Sequence, residues 1–307
     1  MKTKRNDLLS IRDLRDKEIE EIFALTARIK KSPEKFRSIL KGKSLALIFE
    51  KPSNRTYVSF NVGMAELGGH AVYLGPDQIK LGVRETIHDV AKTLSRYVDG
   101  IVLRTFAHKN VLDMAEYSDV PVINGLSDLS HPCQALADIF TVREKFGKKK
   151  NLTLAYVGDG NNVCNSLLYT CSKTGINMNV GVPEGYEPDN DVFRGAEEMA
   201  RKNNISIRLF HTAEEAVRGA NVVYTDVWAS MGQEDEAQKR KQIFRNFQIN
   251  GSLLRSASSG VLVMHCLPAH RGEEITDEVI DSKNSVVFDE AENRLHVEKA
   301  VLVKLLS

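Results

Sequence analysis

The chain shows no excess of either charge: 42 Lys and Arg stand against 41 Asp and Glu in 307 residues. That balance argues against a broad basic field for nucleic acid and against an acidic solvating tail. Cysteine is scarce, with only Cys133, Cys164, Cys171 and Cys266, and none forms a C-x-x-C pair. No disulfide framework is expected, and a reducing cytoplasm is the simplest setting. No apolar run approaches the ~20 residues needed to cross a bilayer. The opening MKTKRNDLLSIRDL lacks the apolar centre of a signal peptide. Short-period repeats and low-complexity segments are also missing.

What is present is alternation. Short apolar, β-branched blocks at 44–49, 71–74, 100–103, 120–124, 152–157, 177–182, 206–210, 221–225, 261–265 and 286–288 are expected strands. Helical patterns lie between them, among others at 87–97, 133–146, 162–174 and 192–203. Continuously apolar strands with intervening helices point to α/β domains built on parallel sheets, buried on both faces. A chain of 307 residues suits two domains of ~150 each. The basic stretch KFGKKKN at 145–151 marks the boundary, so the domains are expected at 1–147 and 148–290. Residues 292–306 read as a terminal helix with Leu295, Val297, Ala300, Val301, Val303 and Leu306 as its apolar face.

In open α/β sheets ligands bind beyond the carboxyl ends of the strands, and several strand-to-helix junctions here are polar. After the block SLALIF come Pro52, Ser53, Asn54, Arg55 and Thr56. Ser53 suits an N-cap, and the helix is expected to bury Val58, Val62 and Ala65, with Tyr57, Met64 and Leu67 beside them, before stopping at Gly68-Gly69. Free N–H groups at such an end attract anions, and Arg55 adds a fork suited to phosphate. A capped helix with a solvated Arg fits the same pattern. Arg104 ends another strand, as a surface residue or a second clamp. His131 and Gln134 open the helix at 133–146, for capping or for donation to a ligand oxygen.

The stretch LTLAYVGDGNNVCNSLL resembles half of a dinucleotide unit, but Val163 stands where a third Gly would be. With Glu184 as the ribose acid, an NAD-dependent oxidoreductase is the rival reading. Asn161 and Asn162 suit a small polar ligand. Asp226 ends a strand and could hold an ammonium. The charged run 233–240 reads as a solvated helix face, and Trp228 as packing. His265, Cys266 and His270 cluster at a further strand end, without a strong zinc spacing. A nucleophilic thiol, or contact with a substrate carbonyl or amine, is equally open there.

Taken in order, these junctions resemble the aspartate/ornithine carbamoyltransferase family. Its S-T-R-T-R motif corresponds to Ser53-Asn54-Arg55-Thr56-Tyr57, and H-P-x-Q to His131 through Gln134. D-x-x-x-S-M-G corresponds to Asp226 through Gly232, H-C-L-P to His265 through Pro268, and EAENR ends at Arg294. The resemblance spans essentially the whole chain. It implies an α/β fold of two domains, each a parallel sheet flanked by helices, with a C-terminal helix (291–307) returning to the first. It also implies transfer of a carbamoyl group from carbamoyl phosphate to ornithine.

Carried over by position, carbamoyl phosphate lies on Ser53, Asn54, Arg55, Thr56, Arg104, His131, Gln134, Cys266, Leu267 and Arg294. Gln78, in the loop GPDQIKLGVRE, matches a position that reaches a neighbouring subunit's site, implying a homotrimer or an assembly of trimers. Asn162, Asp226, Ser230 and Met231 read ornithine. Arg55, Arg104, His131 and Cys266 are the catalytic candidates. The resemblance implies neither metal nor organic cofactor. Asn54 replaces the usual Thr, and Tyr57 the usual second Arg. Those departures keep two alternatives in view: another amine, such as putrescine or a modified ornithine, and a non-catalytic paralogue that binds carbamoyl phosphate.

Overall fold

The structure, a computed structural model, describes residues 7–147, 149–229 and 234–307. The chain divides into two compact units, residues 1–136 with 292–307, and residues 137–291.

Unit 1 holds the strands β1 (Ser44–Phe49), β2 (His70–Leu74), β3 (Gly100–Arg104) and β4 (Val122–Leu126), all parallel, in the order β2-β1-β3-β4. Its helices are α1 (Asp16–Lys31), α2 (Asn54–Glu66), α3 (Pro76–Ile79), α4 (Ile87–Leu94) and α5 (His108–Tyr117). The central strand β1 is sealed from Leu45 to Phe49. The edge strand β2 is not, although its apolar run led to the same expectation. Val72 and Tyr73 are 41% and 38% exposed, because an edge strand has one neighbour and an apolar run does not encode rank within a sheet.

Helix α2 also turns a different face inward than expected. Thr56, Phe60, Gly63, Met64 and Leu67 are buried, while Val58 and Val62 are 45% and 38% exposed. The inward stripe includes a glycine and a threonine, which hydropathy does not mark. Gly63 allows close packing: a Cβ there would stand 3.2 Å from Lys299 Cγ.

The boundaries of the two units fall inside α6 (Pro132–Phe146) and α13 (Val287–Leu306). The expected strand at 286–288 is not formed; α13 begins at Val287 instead. Pairing with β9 (Leu262–His265) is limited to a single bridge, Val263 to Ser285, with Val286 N donating to Val263 O at 2.9 Å. Asp289 and Glu290 in the first turn favour a helix start there. The later part of α13 packs on unit 1. Lys299 pairs with Glu66 at 2.6 Å, Lys304 with Glu21 at 2.7 Å, and Lys30 donates to Asn293 at 2.8 Å.

Unit 2 holds β5 (Thr153–Val157), β6 (Asn177–Gly181), β7 (Ile207–Phe210), β8 (Val222–Thr225) and β9, all parallel, in the order β7-β6-β5-β8-β9. Its helices are α7 (Asn162–Thr174), α8 (Asn190–Lys202), α9 (Ala213–Val217), α10 (Ala237–Ile243), α11 (Gly251–Leu254) and α12 (Asp277–Ile280). Trp228 packs in the core, stacked on Phe244 at 5.9 Å. The charged run before residue 240 is not wholly solvated. Arg240 is 6% exposed and ion-paired with Asp159 at 3.0 Å.

Each sheet reverses its winding once, between β1 and β3 in unit 1 and between β5 and β8 in unit 2. At such a switch point the two following loops diverge to opposite faces and leave a crevice. In unit 1 those loops start at Glu50 and Thr105. In unit 2 they start at Gly158 and Asp226.

Candidate active site

The crevice of unit 1 collects donors. β1 ends at Phe49, in register with Arg104 at the end of β3. Pro52 breaks the strand, and Ser53 caps α2, its Oγ accepting from Thr56 N at 3.3 Å and donating to Thr56 Oγ1 at 3.1 Å. Arg104, His131, Gln134 and Arg294 are all nearly inaccessible to solvent. Arg294 Nη1 donates to Gln134 Oε1, and its Nη2 donates to Thr56 Oγ1 at 3.4 Å. Burial, then the charges of Arg294, Arg104 and Arg55, holds the His131 imidazole well below its usual range. It is therefore neutral near pH 7 and presents one N–H donor.

Ser53, Thr56, Gln134 and Arg294 are thus joined directly, and Arg55, Arg104 and His131 electrostatically. Asn54 and Gln78 are exposed, and Gln78 donates only its backbone N–H, to Gly75 O at 3.0 Å. Tyr57 packs edge-on against Tyr73 at 4.8 Å and accepts from Asn61 Nδ2 at 3.2 Å. Its replacement of a basic residue therefore supplies aromatic packing beside the exposed edge strand.

The crevice of unit 2 collects acceptors. Asp226, 6% exposed, follows β8. Its Oδ2 accepts from Asn161 Nδ2 at 2.7 Å, and its Oδ1 from Val227 N at 2.8 Å and Cys266 Sγ at 3.0 Å. Asn161 also caps α7, accepting from Val163 N and Cys164 N. Asn162 opens that helix, half-buried. Burial first, then Asp226, pushes the Cys266 thiol well above its usual range. It stays protonated and donates. A resting thiolate nucleophile does not fit this site. Leu267 sits in the left-handed region at φ 57°, and its N–H donates to His265 Nδ1 at 2.9 Å. Ser230 and Met231 lie outside the described residues.

The metal reading weakens on the same geometry. Asp226, His265 and Cys266 place donor atoms within 4.8 Å of one another. Yet His265 Nδ1 accepts from Leu267 N–H, so its Nε2 carries the proton and donates to Glu274 Oε1 at 3.0 Å. Neither ring nitrogen is left for an ion. The dinucleotide reading fails sterically. A Cβ at Gly160 would lie 2.3 Å from Pro188 N, so the chain's own loop fills the turn where a pyrophosphate would approach. Glu184 is exposed.

Five buried residues escaped sequence reading. Glu298 takes Arg294 Nε and Nη2 on one oxygen at 3.0 and 2.7 Å. Glu290 accepts from His265 N at 3.1 Å and from Tyr224 Oη at 3.2 Å, and hydrogen-bonds Asp138. Burial and Asp138 hold Glu290 well above the carboxylate range. Arg240 and Asp159 form the pair noted above, and Arg240 Nη1 also donates to Trp228 O at 2.8 Å. The spacing of Arg294 and Glu298 along α13 was a possible signal; nothing local marks the others.

Two parallel sheets with polar crevices at their switch points, one rich in guanidinium and one with a buried carboxylate, make a two-domain α/β architecture. Residues 6–144 match the carbamoyl-phosphate-binding domain of aspartate/ornithine carbamoyltransferases, and residues 150–305 match the Asp/Orn-binding domain. The chain belongs to the aspartate/ornithine carbamoyltransferase family. Within it, the chain is 56% identical over 306 residues to an ornithine carbamoyltransferase of Pyrococcus horikoshii, covering 99% of this chain and 96% of that one. It is 54% identical over 303 residues to a Pyrococcus furiosus protein named ornithine carbamoyltransferase, anabolic, covering 98% and 96%. A solved ornithine carbamoyltransferase from Pyrococcus furiosus superposes with a TM-score of 0.95 at 53% identity, covering 98% and 97%.

Proposed function

We infer that this chain transfers the carbamoyl group of carbamoyl phosphate to the δ-amine of L-ornithine, giving L-citrulline and phosphate. The observation that carries the reading is the trio Arg55, Arg104 and Arg294 around a buried, neutral His131 at the capped start of α2. Such a cluster suits a phosphate dianion beside a carbonyl. An alternative amine such as putrescine lacks the α-amino acid head that a fixed Asp226 carboxylate would recognise.

In the proposed chemistry Ser53, Asn54, Arg55 and Thr56 hold the phosphate, and Arg104 bridges it to the carbonyl oxygen. His131 donates to that oxygen. Gln134 holds the carbamoyl amide, with Arg294. Asn162, Asp226, Ser230 and Met231 read the ornithine head group, and Gln78 completes a neighbouring subunit's site. The neutral δ-amine attacks the carbonyl carbon. The tetrahedral oxyanion is met by Arg104, His131 and Thr56, each such donor being worth ~3–4 kcal/mol of barrier. The C–O bond to phosphate then breaks. Because the Cys266 thiol keeps its own proton, the amine's proton leaves with the phosphate.

A relative named as anabolic supports the arginine-forming direction; the proposed setting is the cytoplasm, and the proposed division is 1–147 for carbamoyl phosphate, 148–290 for ornithine and 291–307 packing on the first. No described helix is long and apolar enough to cross a membrane. Exposed Val58, Val62, Val72 and Tyr73 on α2 and β2 offer an apolar face for a homotrimer or a larger assembly of trimers. Light scattering that returned a monomer would remove that assembly.

The test of the activity is a citrulline assay with ornithine, putrescine, acetylornithine and aspartate in parallel. Ornithine alone should give rapid product. Release of phosphate with another amine, or binding of carbamoyl phosphate without turnover, would overturn the assignment.

A further inference from the structure

We propose that Tyr57 and Tyr73 form an aromatic clasp that places Gln78, so that the ring standing where the family's motif has its second Arg is a positioning residue for the carbamoyl-phosphate site. The clasp stands on contacts within unit 1; its consequence for carbamoyl phosphate rests on the reading of Gln78 given above.

A line of contacts runs from α2 to α3. Asn61 Nδ2 donates to Tyr57 Oη at 3.2 Å, one helical turn along α2. The Tyr57 ring meets Tyr73 edge-on, with centroids 4.8 Å apart and planes at 62°. Phe49, buried at the end of β1, packs on the same Tyr73 ring at 5.5 Å and 55°. Both spacings suit ring pairs that attract edge to face. Next along the chain lies Gly75, buried although Pro76, Asp77 and Gln78 after it are exposed. A Cβ there would stand 2.9 Å from Tyr73 Cε1, 3.2 Å from Tyr73 Oη and 2.8 Å from Gln78 Oε1. The tyrosine ring and the Gln78 amide therefore close over the same glycine, an approach that a missing side chain permits.

Helix α3 needs such support. It is four residues long, and the Gln78 and Ile79 amides both donate to Gly75 O, at 3.0 and 3.3 Å. It stops at Lys80, in the left-handed region at φ 40°. So short a turn holds little stability of its own. Ile79 and Leu81 pin one side of it in the core of unit 1. Gln78 faces out and reaches the fold through Gly75 and Tyr73. Tyr73 in turn is 38% exposed on an edge strand, where a side chain keeps its rotamer only if neighbours hold it. Tyr57 and Phe49 are those neighbours.

The test is amide hydrogen exchange by mass spectrometry on the full chain, with steady-state kinetics alongside. Tyr57→Ala should speed exchange at 76–81 about fivefold and leave 100–104 unchanged. Tyr57→Phe keeps the ring and should exchange at the parent rate. In a Tyr73→Ala background, Tyr57→Ala should add nothing, because the ring it held is gone. Unchanged exchange at 76–81, equal acceleration at 100–104, or an additive effect in the Tyr73→Ala background would overturn the clasp. Should Tyr57→Ala fail to fold, Tyr57→Leu carries the same test, since it keeps bulk and loses the ring. In the citrulline assay, Tyr57→Ala should raise KM for carbamoyl phosphate about fivefold with kcat within about twofold of the parent, and Tyr57→Phe should behave as the parent. Faster exchange at 76–81 with an unmoved KM would overturn the positioning role and take Gln78 out of the carbamoyl-phosphate site. An unmodified chain without turnover would instead sink the proposed activity and leave the exchange result standing.

Discussion

In unit 1, burial and three guanidiniums hold the His131 imidazole well below its usual range; in unit 2, burial and Asp226 push the Cys266 thiol well above its own. His131 follows β4 and is buried, and Cys266 follows β9 and is half-buried. Burial alone drives each toward its neutral form. The surrounding charges reinforce that tendency in both places, but with opposite sign. Unit 1 is poised to receive an anion, and its histidine stays off-charge so that it donates a neutral hydrogen bond. In unit 2 the thiol stays protonated and donates to Asp226 Oδ1 at 3.0 Å. One topology therefore frames a guanidinium-rich crevice in unit 1 and a buried carboxylate in unit 2, and the side chains of the loops set the difference.

The strongest way to break this comparison is to discharge unit 1. Arg55→Ala should lower turnover by about a thousandfold while circular dichroism and thermal midpoint stay near those of the parent. Near-normal citrulline production in that variant would remove the phosphate assignment.

Discharging unit 2 should show the complementary split. Asp226→Ala is expected to raise KM for ornithine about a hundredfold and KM for carbamoyl phosphate by less than about threefold. Steady-state kinetics with each substrate varied separately decide this; equal changes would dissolve the division between the units.

A pH experiment sharpens it further. Burial raises the Asp159 carboxyl to about 6 despite Arg240. With the folded value raised, the folded chain takes up a proton as pH falls through about 6, before the unfolded chain does. Asp159 thus contributes stability below the unfolded range that is lost as pH rises through 6. The ion pair persists above 6 for position rather than stability. Below pH 6 Arg240 loses that partner, and with it an anchor for the segment after Asp226. Calorimetric binding of L-norvaline, which lacks the δ-amine, should therefore weaken several-fold below pH 6, and Asp159→Asn should abolish that dependence. Phosphate binding by Asp159→Asn should keep the pH profile of the parent.

The smallest expected effect concerns Cys266. Its alkylation by iodoacetamide at pH 7.5 should be slow, and Asp226→Asn should accelerate it a few-fold by removing the nearest negative charge. Unchanged labelling would mean that burial alone controls the thiol.

Much of the architecture was legible before any coordinates. The alternation of strands and helices survives almost intact, because a buried parallel strand needs a continuous apolar run and α7 needs its Asn cap. The misplacements have physical causes. Strand β2 reads like β1, yet lies at the edge. Helix α2 offers two apolar stripes, and the one with Gly63 and Thr56 won because α13 packs closely there. Residues 286–288 have a strand's composition but meet β9 at one bridge only. The site residues were legible where a junction carries a run of polar types, as at 53–56. Glu298, Glu290, Asp138 and Arg240 were not, since each draws its meaning from a partner that chain order does not reveal.

The amino-acid order by itself determined the parallel α/β plan, the polar junctions and the residue types that favour an anion in one half and an ammonium in the other. Those follow from local propensities and hydropathy, which act over a few neighbouring residues. Only the tertiary structure decided which charges cancel and which remain. Arg294 is ion-paired with Glu298, Asp226 is held by Asn161 and Cys266, and Glu290 is hydrogen-bonded to Asp138. Electrostatics depends on distance and burial in space, and neither quantity is written along the chain.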